Sequence, residues 1–324
     1  MTVSGVSTWN PAVTFMVRQS LINVGAIAED EEPTGQQYSD GVFQLNAMVK
    51  SLEATGLHVW TEQEAILFLQ VGQPKYVIGN GGTAHTSDAD QWEQLSLQSS
   101  VLAGSPDLPF ALVLGVSVND SIGVVLDSGL TFWSTVSAVS DTSITLADPL
   151  PSSASGGNFV LVYTTPILRP LKVPKARLLT FQPTGGAGPS ETPMTVLSRQ
   201  GYMDLPNKLS PGVPTQWFYS PQRDQGYFYV WPVPIASNWA VRFTWYRPLQ
   251  DYLVPNDTSD FPQEWINPLI WNLAHEMGPS YSVPPAKWAM IEKMAEQWGD
   301  VVLSYDRESE DVQFGLDYTN SLGY

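Results

Sequence analysis

The chain of 324 residues contains no cysteine. Disulfides, zinc–thiolate sites and thiol nucleophiles are therefore excluded, and no particular redox compartment is required. Histidine is nearly absent, with only His58, His85 and His275. His275-Glu276 begins like a zinc-protease helix, but Pro279 stands where the second histidine ligand would be. No GxSxG, P-loop or GxGxxG sequence occurs. Gly185-Gly186-Ala187-Gly188 lies between prolines and opens no helix, which argues against a phosphate cradle. Asp88-Ala89-Asp90 lacks the spacing of a calcium loop and reads as a surface turn. Nothing singles out two carboxylates as a glycosidase pair. The expectation is a protein without catalytic residues, cofactor or metal. No apolar run reaches bilayer-spanning length, and no charged n-region precedes an apolar stretch at the start. A soluble chain without a signal peptide is expected.

Positive charge is also scarce. Fifteen bases face 32 acids, for a net charge of −17. Their distribution is uneven. Between Pro74 and Leu168 the only base is Lys75, against Asp88, Asp90, Glu93, Asp107, Asp120, Asp127, Asp141 and Asp148. From Arg169 to Arg247 nine bases face three acids, Glu191, Asp204 and Asp224. An acidic molecule with one basic segment is poorly suited to sequence-specific duplex binding, which draws on Lys and Arg. Its basic segment suits an acidic partner or an identical neighbour.

What is abundant is apolar and aromatic. Hydrophobic residues make up 43%, which fits a folded chain, and the 12 Trp favour sheets and interfaces. The stretch Gln216–Tyr246 concentrates them. Trp239, Val241, Phe243 and Trp245 alternate with Ala240, Arg242, Thr244 and Tyr246, the period-two pattern of a strand. Tyr227 to Trp231 and Trp217 to Tyr219 read as further strands of the same small antiparallel sheet. Both chain ends read as helical. Asn10-Pro11 offers a helix start, with Val13, Met16, Val17 and Leu21 at helical spacing and Gly25 as the stop. After the acidic run Glu29 to Glu32, a second stripe runs from Tyr38 to Leu52 and ends at Gly56. Near the other end, Trp265 to Met277 forms one stripe, and Ala286, Met290, Met294, Trp298 and Val301 or Val302 a second. Between them, strands are expected at 65–71, 76–78, 111–118, 121–126, 130–139, 143–146 and 159–163, with Asp127-Ser128-Gly129 as a hairpin turn. The fold class expected is α+β. Residues 1–64 with 258–307 form a helical bundle, and 65–82 with 166–257 an antiparallel β-sheet platform. Residues 83–165 form an inserted β-barrel or sandwich module, and 308–324 an extended acidic tail.

Several of these segments resemble a known family. Ile22-Asn23-Val24-Gly25, Phe43-Gln44-Leu45-Asn46 and Trp60-Thr61 carry the N-terminal part of the likeness. Arg199-Gln200-Gly201-Tyr202, Gly212-Val213-Pro214, Trp217-Phe218-Tyr219, the run from Gly226 to Pro234, Tyr246-Arg247-Pro248-Leu249, Phe261 to Trp265 and Leu273-Ala274 carry the rest. Asp120 to Gly129 with Phe132-Trp133 looks like a module of such phage proteins. Together they resemble the head-to-tail adaptors of tailed, especially short-tailed, bacteriophages, also called tail accessory or packaged-DNA stabilisation proteins. The resemblance implies a non-enzymatic virion protein of the neck, assembled in the host cytoplasm. It implies a homo-oligomeric ring, typically of twelve copies, under the portal protein. The ring would extend the DNA channel, retain packaged DNA without sequence-specific binding, and seat a tail nozzle or tube protein. No membrane is involved. A C-terminal tail would dock on the portal through Glu308, Glu310, Asp311, Phe314, Leu316, Tyr318, Leu322 and Tyr324. Arg223, Arg242, Arg247, Trp217 and Trp231 are the candidates for the subunit interface. The alternatives are a glycan-binding or glycan-cleaving tail component, and another structural virion subunit of the tail tube or decoration type.

Overall fold

The structure, a computed structural model, describes residues 9–55, 59–181 and 189–305. The expected tail residues and His58 lie outside this range, as does all of the Gly/Pro loop but Pro189. The chain divides into a helical unit made from both ends, to Trp60 and from Leu249, and a β unit, Thr61–Pro248.

The helical unit begins with α1 (Val13–Val24) and α2 (Gly35–Thr55). Asn10 does not cap α1, as its sequence position suggested. Its side chain instead exchanges hydrogen bonds with the backbone of Ser259, at 3.0 and 3.1 Å. Ala12 is the N-cap, and the first helical N–H groups donate to the Asp257 and Pro255 carbonyls. A loop near the other chain end thus supplies partners that a polar cap would have supplied. Gly25, at φ 81°, closes α1 with its N–H on the Leu21 and Ile22 carbonyls. The apolar stripe of α1 packs with Leu45 and Val49 of α2 and with Leu249, Tyr252 and Phe261 in one buried core. Leu249 and Tyr252 therefore belong with the helices and not with the platform that 166–257 had been assigned to.

The β unit continues with β1 (Glu62–Phe68), β2 (Lys75–Gly79), β3 (Thr86–Asp88), β4 (Trp92–Ser96), β5 (Asp107–Pro109) and β6 (Ser121–Val125). Then come β7 (Thr131–Val139), β8 (Ser143–Leu146), β9 (Phe159–Tyr163), β10 (Lys172–Thr180), β11 (Ser190–Pro193) and β12 (Thr195–Val196). A short helix, α3 (Arg199–Met203), precedes β13 (Pro211–Gly212), β14 (Gln216–Pro221), β15 (Gln225–Trp231), β16 (Val233–Pro234) and β17 (Trp239–Tyr246). The helical unit resumes with α4 (Ile266–Met277) and α5 (Pro285–Tyr305).

The aromatic stretch does not make one sheet. β17 lies at the centre of a five-stranded sheet, β11-β10-β17-β1-β3, while β14 and β15 belong to a four-stranded sheet, β12-β14-β15-β2. The alternation explains the pairing of the two sheets. Val241, Phe243 and Trp245 on one face of β17 meet Trp217, Phe228 and Val230 in a shared core, with Phe228 and Phe243 centroids 5.5 Å apart. β1 begins inside what was read as the helical part, because Glu62, Gln63 and Glu64 pair with Tyr246, Trp245 and Thr244.

A six-stranded sheet, β4-β9-β6-β7-β8-β5, forms the inserted module around its own core of Ile122, Val124, Val160 and Phe110, among others. A bulge between Val136 and Ala138 bends β7, so its first half pairs with β6 and its second with β8. Two boundaries differ from expectation. Thr86 and Ser87, placed in the insert by sequence, are buried and pair with β1 in the platform. Residues 111–118 form no strand. The left-handed Gly115 (φ 70°) breaks the run, and Leu112 and Leu114 stay exposed.

The continuous apolar run of β1 has a cause in this arrangement. Ala65 and Leu67 face the shared core of the two platform sheets, whereas Ile66 and Phe68 face the inserted module. There Phe68 meets Trp92, Trp133, Tyr163 and Phe181 at centroid distances of 5.6–6.4 Å. A strand buried on both faces loses its polar alternation.

Candidate interaction surface

The expected subunit-interface residues separate into different environments. Trp217 is 2% exposed and stacked on Phe228, so it is a core residue and cannot face a neighbour. Arg242 projects from the face of β17 opposite Phe243, in register with Ile66 of β1 and Arg177 of β10, and Glu64 stands two residues before Ile66 on the same face of β1. Its guanidinium donates to Glu64 (2.8 Å from Nε) and to Glu191 (3.3 Å), and Glu191 also takes Arg177 (3.2 Å). Desolvation works to lower the Arg242 pKa, but the bond to Glu64 and the charges of Glu64, Glu191 and Asp90 outweigh it and raise it. This arginine is already neutralised within its own sheet. Arg247 donates to the Pro248 carbonyl and Arg223 lies at the exposed β14–β15 turn beside Asp224. Trp231 is half-buried, its indole N–H on the Asn207 carbonyl at 2.9 Å.

The outer face of the four-stranded sheet carries a set that the sequence had not brought together. Strand alternation turns Trp217, Phe228 and Val230 inward, so Phe218, Tyr227 and Tyr229 point outward, with Phe218 paired to Tyr229 and Tyr229 to Lys75. Ser198 caps α3 by accepting from Gly201 N–H (2.9 Å), which holds this one-turn helix against β14. Tyr202 then stacks on Phe218 and lies 4.8 Å from Tyr229. Burial raises the Tyr202 pKa, and Tyr229 adds to it. The Lys75 ammonium sits 3.6 Å above the Tyr227 ring, Arg199 lies 5.6 Å from Phe218, and Lys208 lies 5.7 Å from Tyr202. The only hints in sequence were the isolation of Lys75 and the i, i+3 spacing of Arg199 and Tyr202.

The two histidines among the described residues serve packing. His85 stacks on Trp133 at 3.7 Å, with Nδ1 3.0 Å from the Tyr163 hydroxyl, and burial lowers its pKa to about 4. His275 packs on Trp288. Among the described residues no group of three or more His, Asp or Glu gathers as a metal site.

No curated protein matches the chain. Among solved structures, the crystal structure of the tailspike protein gp49 from Pseudomonas phage LKA1 is similar at 21% identity, with a TM-score of 0.20. That likeness covers 24% of this chain and 15% of the tailspike, a small fraction of its length. The family model described as SU10 adaptor protein matches residues 126–304, from the end of β6 to the last turns of α5. More than half of the chain lies within that match, and the chain belongs to this family of phage adaptors.

Proposed function

We propose that the chain is the subunit of a ring seated under the portal of a short-tailed phage, where it extends the DNA channel, retains packaged DNA and seats the tail. The observation that carries this reading is the family match over residues 126–304. Adaptor membership implies a place between portal and tail, in the virion neck. The rest is supported by physical character. A molecule of net charge −17 repels phosphate, so DNA slides past it and does not stick. No helix among the described residues is long and apolar enough to cross a membrane. The role is structural and non-catalytic, and the acidic segment Glu308–Tyr324 docks on the portal.

The test is electron microscopy of the purified protein mixed with portal. A ring stacked on the portal is expected. Removal of residues 308–324 is expected to leave a folded monomer that no longer decorates portals. Decoration by the truncated protein would refute tail docking, and absence of any ring on the portal would refute the adaptor placement.

A further inference from the structure

On the outer face of the four-stranded sheet, three cations stand without carboxylates. Among the described residues none of Lys75, Arg199 and Lys208 has an acidic oxygen within 4.0 Å. Their polar partners are neutral: Arg199 donates to Ser220 Oγ (2.8 Å), and Lys208 to the Met203 and Leu205 carbonyls (2.9 and 3.2 Å). Asp204, on the same stretch, is instead held by Gln200 Nε2 (2.7 Å). Arg177 and Arg242 on the other platform sheet show the contrasting arrangement, each with a carboxylate. Cation–π contacts at exposed sites contribute only about 0.5–1 kcal/mol, so they orient these charges without neutralising them. Val196, Met203, Leu209 and Val213, each about half exposed or more, lie along the same segment. A cationic face with exposed apolar residues beside it fits an acidic protein surface.

We infer that this face receives the acidic loop of a second copy of the chain, the run Glu29-Asp30-Glu31-Glu32 between α1 and α2. All four residues are exposed. The loop is already shaped: Arg18 donates to the Glu29 carbonyl and pairs with Glu32 (Nε to Oε1 3.1 Å), and Glu31 Oε2 accepts from Ala28 N–H at 3.1 Å, so Glu29, Asp30 and Glu31 are the carboxylates the loop offers. A charged loop held in one geometry loses little freedom on docking. The two surfaces differ, so the contact is heterologous and every copy offers both halves, which propagates assembly from copy to copy. The inference rests on the proposal that copies of this chain assemble.

The experiment mixes isotope-labelled and unlabelled full-length protein at low salt, with and without portal. A zero-length carbodiimide cross-linker joins lysine amines to carboxylates, and mass spectrometry reads the mixed-isotope links. Links from Lys75 or Lys208 to the 29–32 segment are expected. The yield is expected to fall about tenfold in Arg199→Glu, and the links to Glu31 and Glu32 are expected to fall likewise in Glu29→Lys/Asp30→Lys; both variants keep Lys75, Lys208 and those two carboxylates able to react. Circular dichroism checks that both variants stay folded. If these lysines link only to residues 306–324 of the other copy, or if copies assemble without the 29–32 link, this inference is wrong while the assembly reading stands. If labelled oligothymidylate binds the face and competes with the links, the partner is nucleic acid and the inference is likewise overturned. If no mixed-isotope link forms and sedimentation finds only monomer even with portal, the assembly reading itself fails.

Discussion

At the residue scale, the β unit is organised by aromatic rings set into close-fitting places. Trp217 is the largest of the fully buried side chains, and among the described residues its indole N–H has no hydrogen-bond partner. Trp217→Ala is expected to cost about 3–5 kcal/mol in urea unfolding, whereas Trp217→Phe, which discards an unpaired donor, costs clearly less. Gly123 shows the same closeness: a Cβ there would meet the Trp133 ring at 2.8 Å, so glycine is what lets that indole lie across β6. His85 completes the stack on Trp133 and gives the fold a pH dependence. Unfolded, its imidazole takes a proton near pH 6.5; folded, burial postpones this to about 4. Between those values the unfolded chain binds more protons, so His85 contributes full stability above about pH 6.5 and loses it as pH falls toward 4. Urea titrations at pH 7 and pH 4.5 are expected to show a smaller stability difference for His85→Phe than for the parent.

At the scale of elements, the clearest difference from the sequence pattern is the face of α5. Spacing alone suggested Ala286, Met290, Met294, Trp298 and Val301 or Val302 as the buried stripe. Val302 is buried, but its buried companions are Ile291 and Ala295, while Ala286 is exposed and Met290 is 60% exposed. Ile291 packs against Val24 of α1 and Ala274 of α4, and a flexible methionine at the edge of the stripe tolerates water better than a branched side chain at its centre. Met290→Asp is therefore expected to change stability by no more than about 0.5 kcal/mol, and Ile291→Asp to lower it by more than about 3 kcal/mol, read from thermal or urea unfolding. Gly25→Ala tests the α1 cap: forcing φ 81° on alanine is expected to cost about 1 kcal/mol. Helices were legible because their stripes and their Gly stops are local. The short strands β3, β4 and β5 were not, since three to five residues with polar members carry little periodicity and are held by long-range partners. The candidate surface was only partly legible for the same reason. Arg242 looked available in sequence because Glu64 and Glu191 are far along the chain, yet sheet register delivers both carboxylates to it.

At the scale of the whole molecule, sequence by itself determined that no thiol chemistry occurs, that the chain is strongly acidic with one basic segment, and that both ends are helical around a β-rich middle. Composition and local period suffice for those, because each depends on residue type or on neighbours a few positions apart. Tertiary structure decided the rest: that the aromatic stretch is split between two facing sheets, that β1 is buried on both sides, and that Trp217 is core. It also decided which cations remain without carboxylates. Lys75, Arg199 and Lys208 come from separate parts of the chain and share a face only because β2, β14, β15 and α3 are brought together by pairing. Charge neutralisation depends on distances of a few ångströms in space, and separation along the sequence does not encode them.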